Sequence, residues 1–200
     1  MSAGTGPSVT LVRHAETEWS RELRHTGRTD VPLTERGREA ARRLGAALDE
    51  NAFELVLVSP LQRARETCDL AGLGDRAELE PDLVEWDYGE YEGRRTGEIL
   101  AGRPGWELFR DGCPGGEAPE EVAARADRFI ARVRGVEGGV LAFSSGHITR
   151  MIAARWLGLP PDAGRYFACR TASVGVLGYE HGNRDEPVIG LWNHVARPRE

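Results

Sequence analysis

The sequence predicts an α/β fold, a three-layer α/β/α sandwich with a mostly parallel central sheet and a short cap insertion at about 85–116. Three observations predict it. Short apolar runs of buried-strand length recur along the chain, and stretches of helical period separate the first three of them. One intervening segment, rich in Gly, aromatic and charged residues, has neither period. The 200 residues amount to one domain, 1–200, large enough for a substantial core.

Each element has its own signal. Val9-Thr10-Leu11-Val12, Glu54-Leu55-Val56-Leu57-Val58 and Gly139-Val140-Leu141-Ala142-Phe143 read as buried strands. Thr34 is a fitting N-cap for a helix that carries Ala40, Ala41, Leu44, Ala47 and Leu48 on one face. Pro60 marks the N-terminus of a helix after the second strand. A second apolar stripe runs through Val122, Ala126, Phe129, Ile130 and Val133. A third runs through Ile148, Met151, Ile152 and Trp156 and is stopped by Gly158 and Pro160-Pro161. Ser173–Tyr179 and Pro187–Trp192 read as two strands joined by a turn through Gly182-Asn183. In the cap a short helix is expected near Thr96–Ala101. The cap would lie over the strand ends, where α/β sites form.

Composition excludes several classes. All 26 basic residues are Arg, so lysine-dependent Schiff-base chemistry, pyridoxal phosphate and a Walker-A loop are ruled out. Net charge is −6, which argues against a nucleic-acid partner. No apolar run is long enough to cross a bilayer, and Met1–Ser8 lacks the basic and apolar regions of a secretory signal. Cys68, Cys113 and Cys169 are spaced neither as a disulfide framework nor as a zinc site, which makes the cytoplasm the expected compartment. The C-terminal hairpin offers an edge through which a homodimer could form.

The chemistry collects at strand ends. The first strand ends in Arg13-His14, and a neutral imidazole beside a fixed cation can attack an anionic electrophile. The bland alternative is a capped histidine. The second strand runs into Ser59-Pro60-Leu61-Gln62-Arg63-Ala64-Arg65-Glu66-Thr67, where a helix N-terminus and Arg63 favour an anion. Alternatively, Arg63 and Arg65 are solvated partners of Glu66 or Asp69. The third strand ends in Ser144-Ser145-Gly146-His147-Ile148-Thr149-Arg150, with small polar residues, a glycine for close approach, then a helix start. Three such ends point to an oxyanion site. A proton donor is still needed. Glu85 lies among apolar and aromatic neighbours that could keep it protonated, with Asp82, Asp87, Glu90 and Glu92 as rivals.

Leu11-Val12-Arg13-His14-Ala15-Glu16-Thr17-Glu18-Trp19 resembles the Arg-His-Gly signature of the histidine phosphatase (phosphoglycerate-mutase-like) superfamily. Ser59–Thr67 resembles its second motif, and Glu85-Trp86-Asp87-Tyr88-Gly89-Glu90-Tyr91-Glu92-Gly93 its third. The segments 25–34 and 175–187 resemble the branch that includes mycobacterial acid phosphatases and fungal sedoheptulose-1,7-bisphosphatase. The resemblance implies that His14 is phosphorylated and that Glu85 acts first as acid, then as base. It implies that Arg13 and Arg63 clamp the phosphoryl group. Thr26, Gly27, Tyr88, Arg150 and His181 match substrate-pocket positions. No cofactor and no metal are implied.

The departures bear on rate. Ala15 replaces the usual Gly, and Ser20 a common Asn. The last motif is usually Ser-His-Gly, with Arg five residues after the His. Registered on Gly146 and Arg150, it puts Ser145 where the second histidine belongs and makes His147 the later histidine of a His-Gly-His version. Either His147 swings in as a donor or Ser145 supplies a weaker neutral one. The lost contact would cost about 1.5–3 kcal/mol of transition-state stabilisation.

The expected activity is hydrolysis of small phosphomonoesters, sugar phosphates foremost, through a phosphohistidine. The partner is a small phosphorylated metabolite. One alternative is a 2,3-bisphosphoglycerate-dependent mutase. Residues 85–117 set Arg94, Arg95, Arg103 and Arg110 against six Glu and two Asp, so the cap holds no basic excess for a second phosphate. The other alternative is a weakly active or inactive phosphate-ligand sensor. Its support is Ser145; retention of Glu85 opposes it.

Overall fold

Strands made of unbroken apolar residues must be covered on both faces, and the sheet is built accordingly. The computed structural model describes residues 8–196; residues 1–7, which carry the N-terminal leader reading, and residues 197–200 lie outside it. Strand β1 (Ser8–Arg13), β2 (Leu55–Val58), β3 (Ala77–Leu79) and β4 (Gly139–Ser144) are parallel. Strands β5 (Ser173–Tyr179) and β6 (Pro187–Val195) complete the sheet as an antiparallel hairpin. The order is β3-β2-β4-β1-β5-β6. Arg13 pairs with Ser144, and Val58 with Phe143, so β1, β2 and β4 end at one level.

The two-residue alternation of the strands divides the core. Val9, Leu11, Leu57, Val140 and Ala142 face α6 (Pro119–Arg134) and α7 (Gly146–Trp156), which contribute Val122, Phe129, Ile148, Met151 and Trp156. Val12, Val56, Val58, Leu141 and Phe143 face α2 (Glu35–Ala47) and α3 (Gln62–Leu70) through Leu44, Ala64 and Cys68. Thr34 caps α2 by accepting from Gly37 N at 3.0 Å. Gly37 is also where that helix crosses the chain after β1: a Cβ there would fall 2.2 Å from the Glu16 carbonyl oxygen.

Three sequence expectations shift. Strand β3 carried no signal, because three residues at a sheet edge, two of them exposed, show no periodicity. Helix α3 starts at Gln62 with Leu61 at its N-cap, leaving Pro60 outside the helix; Asp30 Oδ1 accepts from Gln62 N at 2.7 Å. The expected cap contains α4 (Thr96–Gly102) and α5 (Leu108–Asp111), with a one-turn α1 (Glu18–Arg21) beside it. Besides reaching the strand ends through Glu85 and Tyr88, it packs into the core: Trp86, Tyr91, Ile99, Trp106 and Phe109 share one apolar cluster with α6 and α7. Aromatic rings bury large areas, which is why this segment is anchored.

Candidate active site

His14 follows β1 directly and is buried, at 3% exposure. Its backbone N–H continues the sheet by donating to Ser144 O at 2.8 Å. Its Nδ1 lies 2.8 Å from the Ala15 carbonyl oxygen, which can only accept. The proton therefore sits on Nδ1, and Nε2 carries a lone pair. Burial first, then the guanidinium charges of Arg63 and Arg13, hold the His14 pKa well below the ordinary histidine range. The ring is a neutral base.

Arg13 donates to Cys169 O at 2.5 Å and lies against Gly146, where a Cβ would come 3.2 Å from the guanidinium carbon. This is the close approach for which a glycine was expected, made to an arginine. Arg63 is fully buried, and its two terminal nitrogens donate to the carbonyls of Thr26, Gly27 and Thr29 at 2.8–3.1 Å. It thus holds the 26–29 loop in place and leaves Nε without a partner, as Arg13 does. Ser59, Ser145 and Thr149 also carry buried, unpartnered hydroxyls. Among the described residues, five of the six such orphans lie at or after the carboxyl ends of β1, β2 and β4. Buried polar groups are rarely left unpaired, and of these Arg13 lines a cavity shared with His14.

Glu85 is buried at 4% exposure. Its carboxylate accepts from His147 N at 3.0 Å, Ile148 N at 2.9 Å and its neighbour Trp86 N at 3.0 Å. The apolar setting read from sequence is only half of its surroundings; the other half is the N-terminus of α7. Those two helix amides, expected to face an anion, are taken by the carboxylate. Of the rival carboxylates, Asp82 binds Arg128, Asp87 binds Arg28, and Glu92 accepts from Gly27 N and Thr29 N. None of these three, nor Glu90, lines the cavity.

A cavity of about 70 Å³ joins Arg13, His14, Thr26, Glu85, Tyr88, Gly146, His147 and Arg150. Arg150 is spread over Phe109, 4.6 Å from the ring centre, and donates to the carbonyls of Gly164 and Arg165. Gly27 supports the wall from behind, hydrogen-bonded to Glu92 and Arg63. Ser145 is fully buried and does not line the cavity, whereas His147 does. His181 is misplaced by the sequence reading. Strand β5 leaves the site end antiparallel to β1, so its far end delivers His181 to the opposite edge of the sheet, with an 89% exposed side chain.

Arg24, His25 and Cys169 line the cavity without having been expected there, and Ser20, noted only for replacing a common Asn, lines it as well. His25 stands beside Thr26 in a quoted motif, and that adjacency was its available signal. Burial lowers the His25 pKa, with Glu85 pulling it upward. Cys169 had no local signal: a register of 156 residues brings its carbonyl to Arg13. Among the described residues, no cluster of three metal-ligating side chains occurs, and no helix is long and apolar enough to cross a membrane.

Comparison with known proteins gives this geometry its family. The model of the histidine phosphatase superfamily, branch 1, matches residues 9–194. An acid phosphatase of Mycobacterium tuberculosis is 43% identical over 188 residues, covering 92% of each chain. A sedoheptulose 1,7-bisphosphatase of Saccharomyces cerevisiae is 31% identical, covering 97% of this chain and 95% of the relative. The solved structure of a Mycobacterium tuberculosis open reading frame product superposes with a TM-score of 0.86 at 41% identity, covering 94% of this chain and 98% of the other. The chain belongs to the histidine phosphatase superfamily.

Proposed function

We propose that the enzyme hydrolyses small phosphomonoesters, sugar phosphates foremost, by way of a phosphohistidine at His14. The observation that carries this reading is His14 itself: a neutral imidazole with a free Nε2 lone pair, flanked by two guanidinium groups whose Nε atoms are unpartnered. Nε2 attacks phosphorus, the bond from phosphorus to the ester oxygen breaks, and Glu85, entering this step as the carboxylic acid with a proton taken from solvent, delivers it to the departing oxygen. Water then attacks phosphorus, the bond from phosphorus to His14 Nε2 breaks and returns its electron pair to the imidazole, Glu85 receives the water's proton, and inorganic phosphate leaves. Arg13 and Arg63 offset the negative charge that the phosphoryl oxygens carry throughout. The name of the yeast relative, a bisphosphatase of a sugar, supports the substrate class.

The test is product analysis. A panel of sugar phosphates is expected to release inorganic phosphate, and 3-phosphoglycerate, with or without its bisphosphate, is expected to yield free phosphate rather than an isomer. Isomer formation would replace this reading by the mutase; tight binding without release would replace it by the sensor. Glu85→Gln is expected to lower kcat by about 100-fold or more, the usual weight of a general acid. Activated esters, whose leaving groups need no proton, should be spared in the first step; equal loss on both ester types would remove Glu85 from the acid role.

A further inference from the structure

His147 is held in the cavity wall by unusually definite contacts. Its backbone N–H is fixed by Glu85, and its ring packs against Phe109 and His25, with centroids 5.7 Å and 5.9 Å away. Its Nδ1 lies 2.5 Å from the Tyr88 hydroxyl. Glu85 Oε2 is 3.9 Å from the same nitrogen, beyond hydrogen-bond reach.

The proton in the Tyr88–His147 contact can be located by accounting. Tyr88 is 1% exposed, and its hydroxyl has no other partner among the described residues. A buried phenol must place its proton somewhere, and His147 Nδ1 is the acceptor on hand. Burial, with Glu85 second, raises the Tyr88 pKa well above its usual value, so the phenol keeps that proton. His147 is neutral, because burial and then the charge of Arg150 lower its pKa well below the histidine range. A neutral imidazole that accepts at Nδ1 carries its hydrogen on Nε2. That nitrogen has no protein partner among the described residues, and its side chain lines the cavity.

We propose that Tyr88 is a positioning residue that fixes His147 as the Nε2–H tautomer, so that His147 presents a neutral N–H donor to the phosphoryl oxygens. The anion's identity rests on the function proposed above. The site then holds two neutral imidazoles in opposite tautomers. His14, tied by a carbonyl, offers a lone pair to phosphorus; His147, tied by a hydroxyl, offers a hydrogen to oxygen. This fills the place left by Ser145 without a third buried cation beside Arg13 and Arg63.

The test combines nitrogen NMR on the full-length protein labelled in histidine with vanadate binding and kinetics. Wild-type His147 is expected as the Nε2–H tautomer and His14 as Nδ1–H. In Tyr88→Phe the His147 signals should move to a mixture of tautomers. Vanadate affinity and kcat/KM should fall about tenfold to 100-fold in His147→Ala, the weight of one hydrogen bond to an ionised oxygen. His147→Gln, whose amide nitrogen reaches the Nε2 position, should recover part of that loss, and Tyr88→Phe should fall between. An Nδ1–H tautomer for wild-type His147 overturns the proposal. So does a Tyr88→Phe protein with unchanged tautomer and unchanged vanadate affinity. Phosphate trapped on His14 in those same proteins would leave the proposed reaction standing while this inference failed.

Discussion

His14→Ala is expected to abolish turnover of phosphomonoesters, with a loss of about 10,000-fold or more, the scale seen when a nucleophile is removed. Few substitutions in this chain should be so one-sided, because Arg13 and the other groups proposed to hold the ester remain in place. Substrate affinity should therefore fall far less than kcat. Wild-type enzyme incubated with a radiolabelled ester and quenched without acid should carry label on His14, since the phosphorus–nitrogen bond does not survive acid. Wild-type turnover by the His14→Ala protein, or label on any other side chain, would end the phosphohistidine mechanism.

The second large effect concerns stability against pH. His14 and His147 have pKa values well below the ordinary histidine value, and His25 is shifted the same way, in each case chiefly by burial. For a base the sign is fixed: the unfolded chain takes up protons first as pH falls. Stability is full above about pH 6.5 and declines below it, until each ring protonates in the folded state. Each ring that stays neutral removes about 1.4 kcal/mol per pH unit across that window, large against a typical net stability of about 5–15 kcal/mol. Arg13, Arg63 and Arg150 face these rings and sharpen the effect; Glu85 opposes it at His25. Asp111, lowered to about 2 by Arg110, loses its contribution only below the usual carboxylate range, so the two regimes separate. Urea midpoints at about pH 7.5 and pH 5.5 would measure the slope, and a His147→Gln protein should lose about one proton's share of it. A flat profile over that interval would show that the rings titrate normally.

How much of this was legible depends on distance along the chain. The strands around Leu11, Leu57 and Leu141 could be read because burial on both faces demands unbroken apolar runs. Arg13 and His14 could be read because they end a strand, Arg63 because it opens the helix after one, and Glu85 from its apolar neighbours and the likeness of its motif. What Arg63 grips could not: its carbonyl partners lie 34–37 residues earlier, in a loop with no period. The partition of the α7 amides also escaped, since nothing near Glu85 in sequence indicates a helix that starts at Gly146. His181 was traced to the site on likeness of motif, although an antiparallel β5 of seven residues spans roughly 20 Å and must carry its far end away.

The position of β4 between β2 and β1 has a consequence for how the chain becomes an enzyme. The central pairings join residues 8–13 and 55–58 to residues 139–144, so no early segment can complete the sheet with its sequence neighbours. Loop closure over such distances is slow, which places this domain among folds limited by search for non-local partners. On the ribosome, β1 and β2 emerge as apolar strands and wait for most of the chain to be made. The same event that seals the sheet brings Ser144 to His14 and α7 to Glu85. Assembly of the site and closure of the central strands are thus one late step, and a nascent chain stopped before residue 139 has the nucleophile but no site.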